Sequence, residues 1–136
     1  MLSTFKADAV VDLDAASATS AWKMKAPGAG YILVKEIYGR FEEAVASGGF
    51  SSAAGVASLE VGGLEVATWS TGVAATARAI GDTVLVTVDG TNVTSANGAI
   101  KVAAGDLLEL KTKTQGTGGT VTGTIRFVIP MDINLT

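Results

Sequence analysis

Residues 59–69 decide the fold class of this chain, and they read Leu59-Glu60-Val61-Gly62-Gly63-Leu64-Glu65-Val66-Ala67-Thr68-Trp69. Apolar and polar side chains alternate on both sides of the Gly-Gly pair, and this period of two is typical of a half-buried β-strand. Two adjacent glycines supply the left-handed backbone angles that a two-residue hairpin turn requires. The stretch therefore predicts two antiparallel strands joined by a tight turn.

Similar patterns predict further strands before and after this hairpin, at residues 9–13, 21–25, 31–38, 83–88, 100–102, 107–113 and 121–129. The segment 31–38 is apolar on both faces in its first half, as expected of a central strand covered on both sides. Pro130 is expected to end the last strand or to place it at an edge. At least seven short strands, with no clear long helix, predict an all-β fold, an antiparallel two-sheet β-sandwich or jelly roll.

Two corners of this fold share a motif. Ala79-Ile80-Gly81-Asp82 and Ala103-Ala104-Gly105-Asp106 each precede a predicted strand. Glycine allows the backbone angle of a tight turn, and aspartate bonds to turn amides, so we expect two equivalent corners. A second interpretation stays open, in which Asp82, Asp89 and Asp106 gather around a hard cation.

The chain of 136 residues contains neither His nor Cys. Their absence removes the usual acid–base catalyst, the usual soft metal ligands and the usual covalent nucleophile. Without His, a Ser-His-Asp triad cannot form, although Ser and Thr are abundant. We therefore expect a protein that is not an enzyme and that uses no cofactor.

Charge is scarce: 17% of residues are charged, against about 25% in typical soluble domains, and the net charge is −3. No strongly basic stretch exists, so a nucleic-acid partner is not expected. No apolar run approaches the ~20 residues of a membrane span, so a membrane partner is not expected either. So few charges indicate that part of the outer surface is buried against other subunits.

The last third of the chain carries a resemblance to a known family. Residues 104–116, which begin Ala104-Gly105-Asp106-Leu107-Leu108, together with the following segment to Ile129-Pro130, resemble the late strands of small viral jelly rolls. The whole chain, rich in Gly, Ala, Thr and Val, looks like the decoration (cement) proteins of tailed-bacteriophage heads. The resemblance implies a homotrimer on the capsid exterior of the virion that bridges major capsid proteins and stabilises the head.

In such proteins an arm at a chain end often reaches a neighbour, so we expect an N-terminal arm at residues 1–8 and a single β-sandwich domain at 9–136. Leu2 and Phe5 in the arm, and Phe50 in a Gly/Ser-rich loop, are the candidate partner contacts, since an aromatic side chain in a mobile segment can fill a partner pocket. The alternative function is a receptor-binding or tail-fibre tip module, which is also a trimeric β-sandwich.

Overall fold

The computed structural model describes residues 2–12, 19–44, 55–70, 79–85, 87–88, 95–96, 99–112 and 124–135. The regular elements of these residues are all β-strands, and no helix occurs among them. Accordingly, no helix with the length and apolarity of a membrane span is found in the described part of the chain. The strands form two antiparallel sheets, which confirms the predicted all-β sandwich. A jelly-roll order of the strands stays a prediction.

In chain order the strands of the described residues are β1 (Leu2–Asp12), β2 (Ser20–Lys25), β3 (Tyr31–Val34), β4 (Tyr38–Phe41), β5 (Gly55–Val61), β6 (Leu64–Ser70), β7 (Thr83–Leu85), β8 (Thr87–Val88), β9 (Ser95–Ala96), β10 (Ala99–Val102), β11 (Leu107–Thr112) and β12 (Thr124–Asn134). In the first sheet, β12 pairs along its length with β1 on one side and with β4 and then β3 on the other. Beyond these, β7 pairs with β4, β10 with β3 and β9 with β10. The second sheet has the order β2-β11-β5-β6-β8.

The hairpin predicted at the Gly-Gly pair is confirmed as β5 and β6. Val61 pairs with Leu64 across the turn, and Gly62 and Gly63 have φ angles of 58° and 85°. Both angles lie in the left-handed region, where a side chain is strained, and a type I′ turn needs two such residues. The N–H of Gly62 also donates to the carbonyl of Leu107 at 2.9 Å, which fastens the turn to the neighbouring strand.

The two Gly-Asp corners, residues 79–82 and 103–106, are equivalent, as predicted. In each corner the aspartate N–H donates to the carbonyl of the alanine three positions earlier, at 3.1 and 3.0 Å. In each corner, too, the glycine N–H and the aspartate carbonyl bond to a second segment of backbone. In the first corner, both groups bond to Phe41. In the second, the glycine N–H donates to the Pro27 carbonyl, and the aspartate carbonyl accepts from the Ala26 N–H. Each corner therefore fixes the start of one strand against a distant part of the chain.

The strand predicted at 31–38 is divided into β3 and β4 by residues 35–37, which lie opposite Pro130 of β12. The N–H of Lys35 donates to the Pro130 carbonyl at 3.0 Å. Because N and C=O of one residue in a strand point to the same side, the missing N–H of Pro130 faces this interruption, and no ladder bond to β1 is lost. The prediction that Pro130 ends its strand or places it at an edge is therefore wrong: β12 continues to Asn134 in the middle of the sheet.

The strand predicted at 83–88 contributes to both sheets. β7 pairs with β4 in the first sheet, whereas β8 pairs with β6 in the second, and Val86 between them lies outside the described residues. The segment thus connects the two sheets at one side of the sandwich. β1 and β2 lie next to each other at the opposite side.

The core lies between the sheets and takes alternate residues of each strand. In β12 the inward positions are odd-numbered, and Arg126 points away from the core, as the sequence predicts. Burial of these side chains is the main source of stability, because each large apolar side chain removed from water contributes about 1.5–3 kcal/mol. The largest fully buried side chains are Phe41, Phe127, Ile32, Leu59, Leu108, Leu110, Ile125, Ile129, Met131, Val11 and Val34.

Candidate functional site

β1 forms one edge of the first sheet. Its 11 residues make it about twice as long as a typical strand, and its register with β12 runs without a shift from Leu2 opposite Asn134 to Asp12 opposite Thr124. On its other side, no strand of the described residues pairs with it. β1 therefore offers a long row of backbone donors and acceptors to a further strand.

The register shows which backbone groups of β1 face this open edge. Pro130 turns its N and C=O away from β1, so its partner Lys6 belongs to a non-hydrogen-bonded pair and turns its own N–H and C=O to the open edge. Such pairs alternate with hydrogen-bonded pairs along an antiparallel ladder, so the N–H groups of Thr4, Asp8 and Val10 face the open edge too. The side chains of these even-numbered residues are all exposed on the outer face of the sheet.

Two of the three predicted partner contacts lie in β1. Leu2 lies at the first position of β1, and Phe5 pairs with Met131 in β12. Phe5 shares the inward parity of the buried positions of β1, but it is far more exposed than they are. Its side chain is 44% exposed, whereas Met131 is fully buried. Phe50 lies outside the described residues.

Residues 2–8, predicted as part of the N-terminal arm at 1–8, lie in β1 and pair with β12. On the outer face, the Thr4 hydroxyl donates to Asp132 Oδ1 at 3.3 Å, and Lys35 Nζ lies 2.8 Å from Asp132 Oδ2. The hydrogen bond from the Lys35 ammonium holds the pKa of Asp132 below its ordinary value, against the opposing effect of burial. The arm segment is thus fixed to its own sheet, and its contact with a neighbouring molecule stays a prediction.

A groove of about 550 Å³ lies on the outer face of the first sheet and extends from β1 across β12 and β4 to β7. Its lining combines three cations and one carboxylate with polar and apolar side chains, so its local charge is positive, although the chain carries a net charge of −3. The side chains that matter for its chemistry are Lys6, Asp8, Tyr38, Arg40, Thr83 and Arg126.

One end of this groove holds two arginines in direct opposition. Arg40 of β4 and Arg126 of β12 are cross-strand partners, an arrangement of like charges that is destabilising. Glu42 compensates one of them: its Oε2 lies 3.3 Å from Arg126 Nε, and its Oε1 accepts a hydrogen bond from the Thr124 hydroxyl at 3.2 Å. No carboxylate of the described residues pairs with Arg40. The groove is therefore short of one anion.

One of the turn aspartates considered as cation ligands makes a hydrogen bond within its own turn. Asp82 Oδ2 accepts a hydrogen bond from the Ala79 N–H at 2.8 Å, within its own corner. Asp106 belongs to the other corner, and Asp89 lies outside the described residues. Within the described ranges, no three Asp or Glu side chains are grouped in a way that would hold a metal ion.

Sequence patterns do not predict that Arg40 and Arg126 face each other. The outward direction of Arg126 is predicted by the alternation of its strand, but Arg40 lies just past the predicted segment 31–38 and has no assigned face. Only the pairing of β4 with β12 reveals that the two meet. Comparison with known proteins adds no functional assignment, since no protein-family model matches this chain and no curated protein matches it significantly.

Proposed function

We propose that this chain is a non-enzymatic structural protein of a bacteriophage particle, a decoration protein that sits on the capsid exterior as a homotrimer and bridges major capsid proteins. The observation that carries the proposal is the open edge of β1, with 11 residues in continuous register and with exposed Phe5 and Val10 on it. The β-sandwich fold and the low content of charged residues support the same function.

An edge strand of this length is usually blocked. Soluble proteins protect such edges with prolines, bulges, charges or a covering segment, because an open edge pairs readily with other chains. β1 contains no proline and no register shift, and its charged Lys6 and Asp8 project from the outer face. This strand is therefore suited to strand addition, in which backbone hydrogen bonds supply affinity and adjacent side chains supply specificity.

A closed trimer sets a geometric condition on this contact. In a three-fold ring, each copy uses two different surfaces, so β1 of one copy meets another part of its neighbour. The side formed by β7, β8 and β9 lies opposite β1 and offers such a second surface. An interface of about 1,500 Å² is in the range of stable complexes, and its repetition around a shell adds avidity.

Two measurements test the proposed function. Light scattering should give the mass of three chains, and the trimer should co-sediment with pre-formed, expanded shells of the phage that encodes it and raise their melting temperature. A monomer at high concentration that binds no shell would contradict the proposal. Binding to cells or glycans without binding to shells would favour the fibre-tip alternative.

A proline variant tests the role of the β1 edge itself. Val10→Pro removes an N–H that faces the open edge and leaves the ladder with β12 intact, so we expect a folded monomer that no longer assembles. Val10→Thr is the matched control, because it keeps the N–H and a β-branched side chain, and it should assemble like the wild type. Normal assembly of Val10→Pro would show that the edge is not the contact.

A further inference from the structure

The positive groove has a charge arrangement that the fold does not explain. Two guanidinium groups placed directly opposite each other cost stability, and a neutral residue at either position would avoid that cost. Glu42 contacts Arg126 through Nε alone. Among the described residues, no carboxylate pairs with Arg40, whose side chain is exposed. An anion from outside the chain would complete the site.

The shape of the arginine side chain indicates which anion fits. A guanidinium presents a planar fork of N–H donors that matches two oxygens of one carboxylate or phosphate. Glu42 occupies the Nε of Arg126, so the terminal nitrogens of Arg126 remain available to a ligand. All the N–H donors of the Arg40 guanidinium remain available as well. One oxyanion between them would accept hydrogen bonds from both arginines and would remove their mutual repulsion.

The rest of the groove suits the body of a small ligand. The Tyr38 side chain, 40% exposed, lies beside half-buried Val128 and Pro130 and forms an apolar platform. Thr83 borders the arginines at one end, while Lys6 and Asp8 supply a donor and an acceptor at the other. The volume of about 550 Å³ lies within the range typical of small-molecule sites.

We propose that this groove binds a small ligand through an oxyanion, a carboxylate or a phosphate, held between Arg40 and Arg126. The site lies on the outer face of the sheet and not on the β1 edge proposed for assembly, and its occupation does not depend on the proposed capsid function. Its ligand class follows from charge complementarity, and its size limits the ligand to about one or two sugar rings or a molecule of similar bulk.

Three sugars that differ in one substituent test the proposal on the intact chain. Titration with glucuronate, glucose 6-phosphate and glucose is followed by backbone amide chemical shifts. We expect saturable shifts at residues 38–40 and 126–128 with one or both anions, none with glucose, and none at the hairpin 59–65. Binding of only one anion supports the proposal and identifies the oxyanion. Equal binding of glucose, or shifts centred on another face, would overturn it.

Variants of Arg40 locate the anion. Arg40→Gln should weaken binding by about tenfold or more, because a charge-assisted hydrogen bond contributes about 1.5–3 kcal/mol. Arg40→Lys keeps the charge without the fork and should fall between Arg40→Gln and the wild type. Lys25→Gln, on the outer face of the second sheet, is the matched control and should bind normally. Wild-type affinity in folded Arg40→Gln, or in Arg40→Lys if Arg40→Gln does not fold, would overturn the proposal.

Discussion

The outer faces of the two sheets differ in how a pair of facing like charges contacts an opposite charge. On the second sheet, Glu60 of β5 faces Glu109 of β11, and Lys111 Nζ lies 2.9 Å from Glu60 Oε2 and 3.5 Å from Glu109 Oε1. One cation thus contacts both glutamates. On the first sheet, Arg40 faces Arg126, and the nearby carboxylate of Glu42 contacts Arg126 alone.

The difference lies in the opposite charge: on the second sheet it contacts both members of the like-charged pair, and on the first it contacts one of them. The hydrogen bond from Lys111 to Glu60 raises the pKa of Lys111 above its ordinary value, so the lysine keeps its charge between the two glutamates. The first sheet leaves Arg40 without a described carboxylate and ends in β1, an open edge of 11 residues, whereas β2 at the edge of the second sheet has 6. We infer that the outer face of the second sheet serves mainly folding, whereas the first sheet meets other molecules.

The largest expected effect comes from the core that both faces share. Phe127→Ala in the first sheet should lower the free energy of unfolding by about 3–5 kcal/mol, and Leu110→Ala in the second by about 2–5 kcal/mol, because both side chains are almost completely buried. Urea unfolding followed by circular dichroism and by tryptophan fluorescence should show one shared transition in each variant. Separate transitions for the two probes would mean that the sheets do not form one cooperative unit.

Removal of Lys111, the cation between the two glutamates, should have the next largest effect. Lys111→Met leaves Glu60 and Glu109 facing each other without compensation, so the melting temperature should fall by several degrees. Lys25→Met is the matched control, since Lys25 is exposed on the same strand pair and has no described ion pair. Equal melting temperatures of the two variants would contradict the stabilising role inferred for Lys111 between the two glutamates.

On the first sheet, Asp132 should give a pH-dependent contribution. Its pKa is lowered from 3.8 by Lys35, so the unfolded state binds more protons as the pH falls below that value. The contribution of Asp132 is therefore present above pH 3.8 and is lost as the pH falls through the lower pKa of the folded state. Asp132→Asn should be less stable than the wild type at about pH 7, and the difference should shrink at about pH 3. A constant difference in urea unfolding would exclude this linkage.

The smallest effect is expected at Arg40 and has the opposite sign. Arg40→Gln removes a repulsion, so the free energy of unfolding should rise by about 0.2–1 kcal/mol in dilute buffer. Added salt screens exposed charges and should reduce the gain. Thermal unfolding at two salt concentrations measures both quantities. A destabilised Arg40→Gln would mean that Arg40 serves the fold, and the contrast between the faces would disappear.

Local features of the sequence predict much of the fold and little of the site. The Gly-Gly hairpin and the Gly-Asp corners are correct because turn chemistry and period-two alternation act within a few residues. Residues 2–8 belong to β1. The alternation of Phe5 and Ala7 with polar residues indicates a strand there, although alanine has little preference for strands.

Local patterns do not determine which strands pair with each other. The opposition of Arg40 and Arg126 depends on pairing between segments far apart in the sequence, and so does the tolerance of Pro130 within β12. Both follow from the register, which is set by how the whole sandwich packs.

Hydrogen–deuterium exchange on the assembled and the dilute chain tests most directly whether the first sheet is the surface that meets other molecules. Assembly should protect the amides of Thr4, Lys6, Asp8 and Val10, which face the open edge, and should leave β2, β11 and β5 unchanged. Protection confined to the second sheet, or a chain that never assembles, would contradict the account.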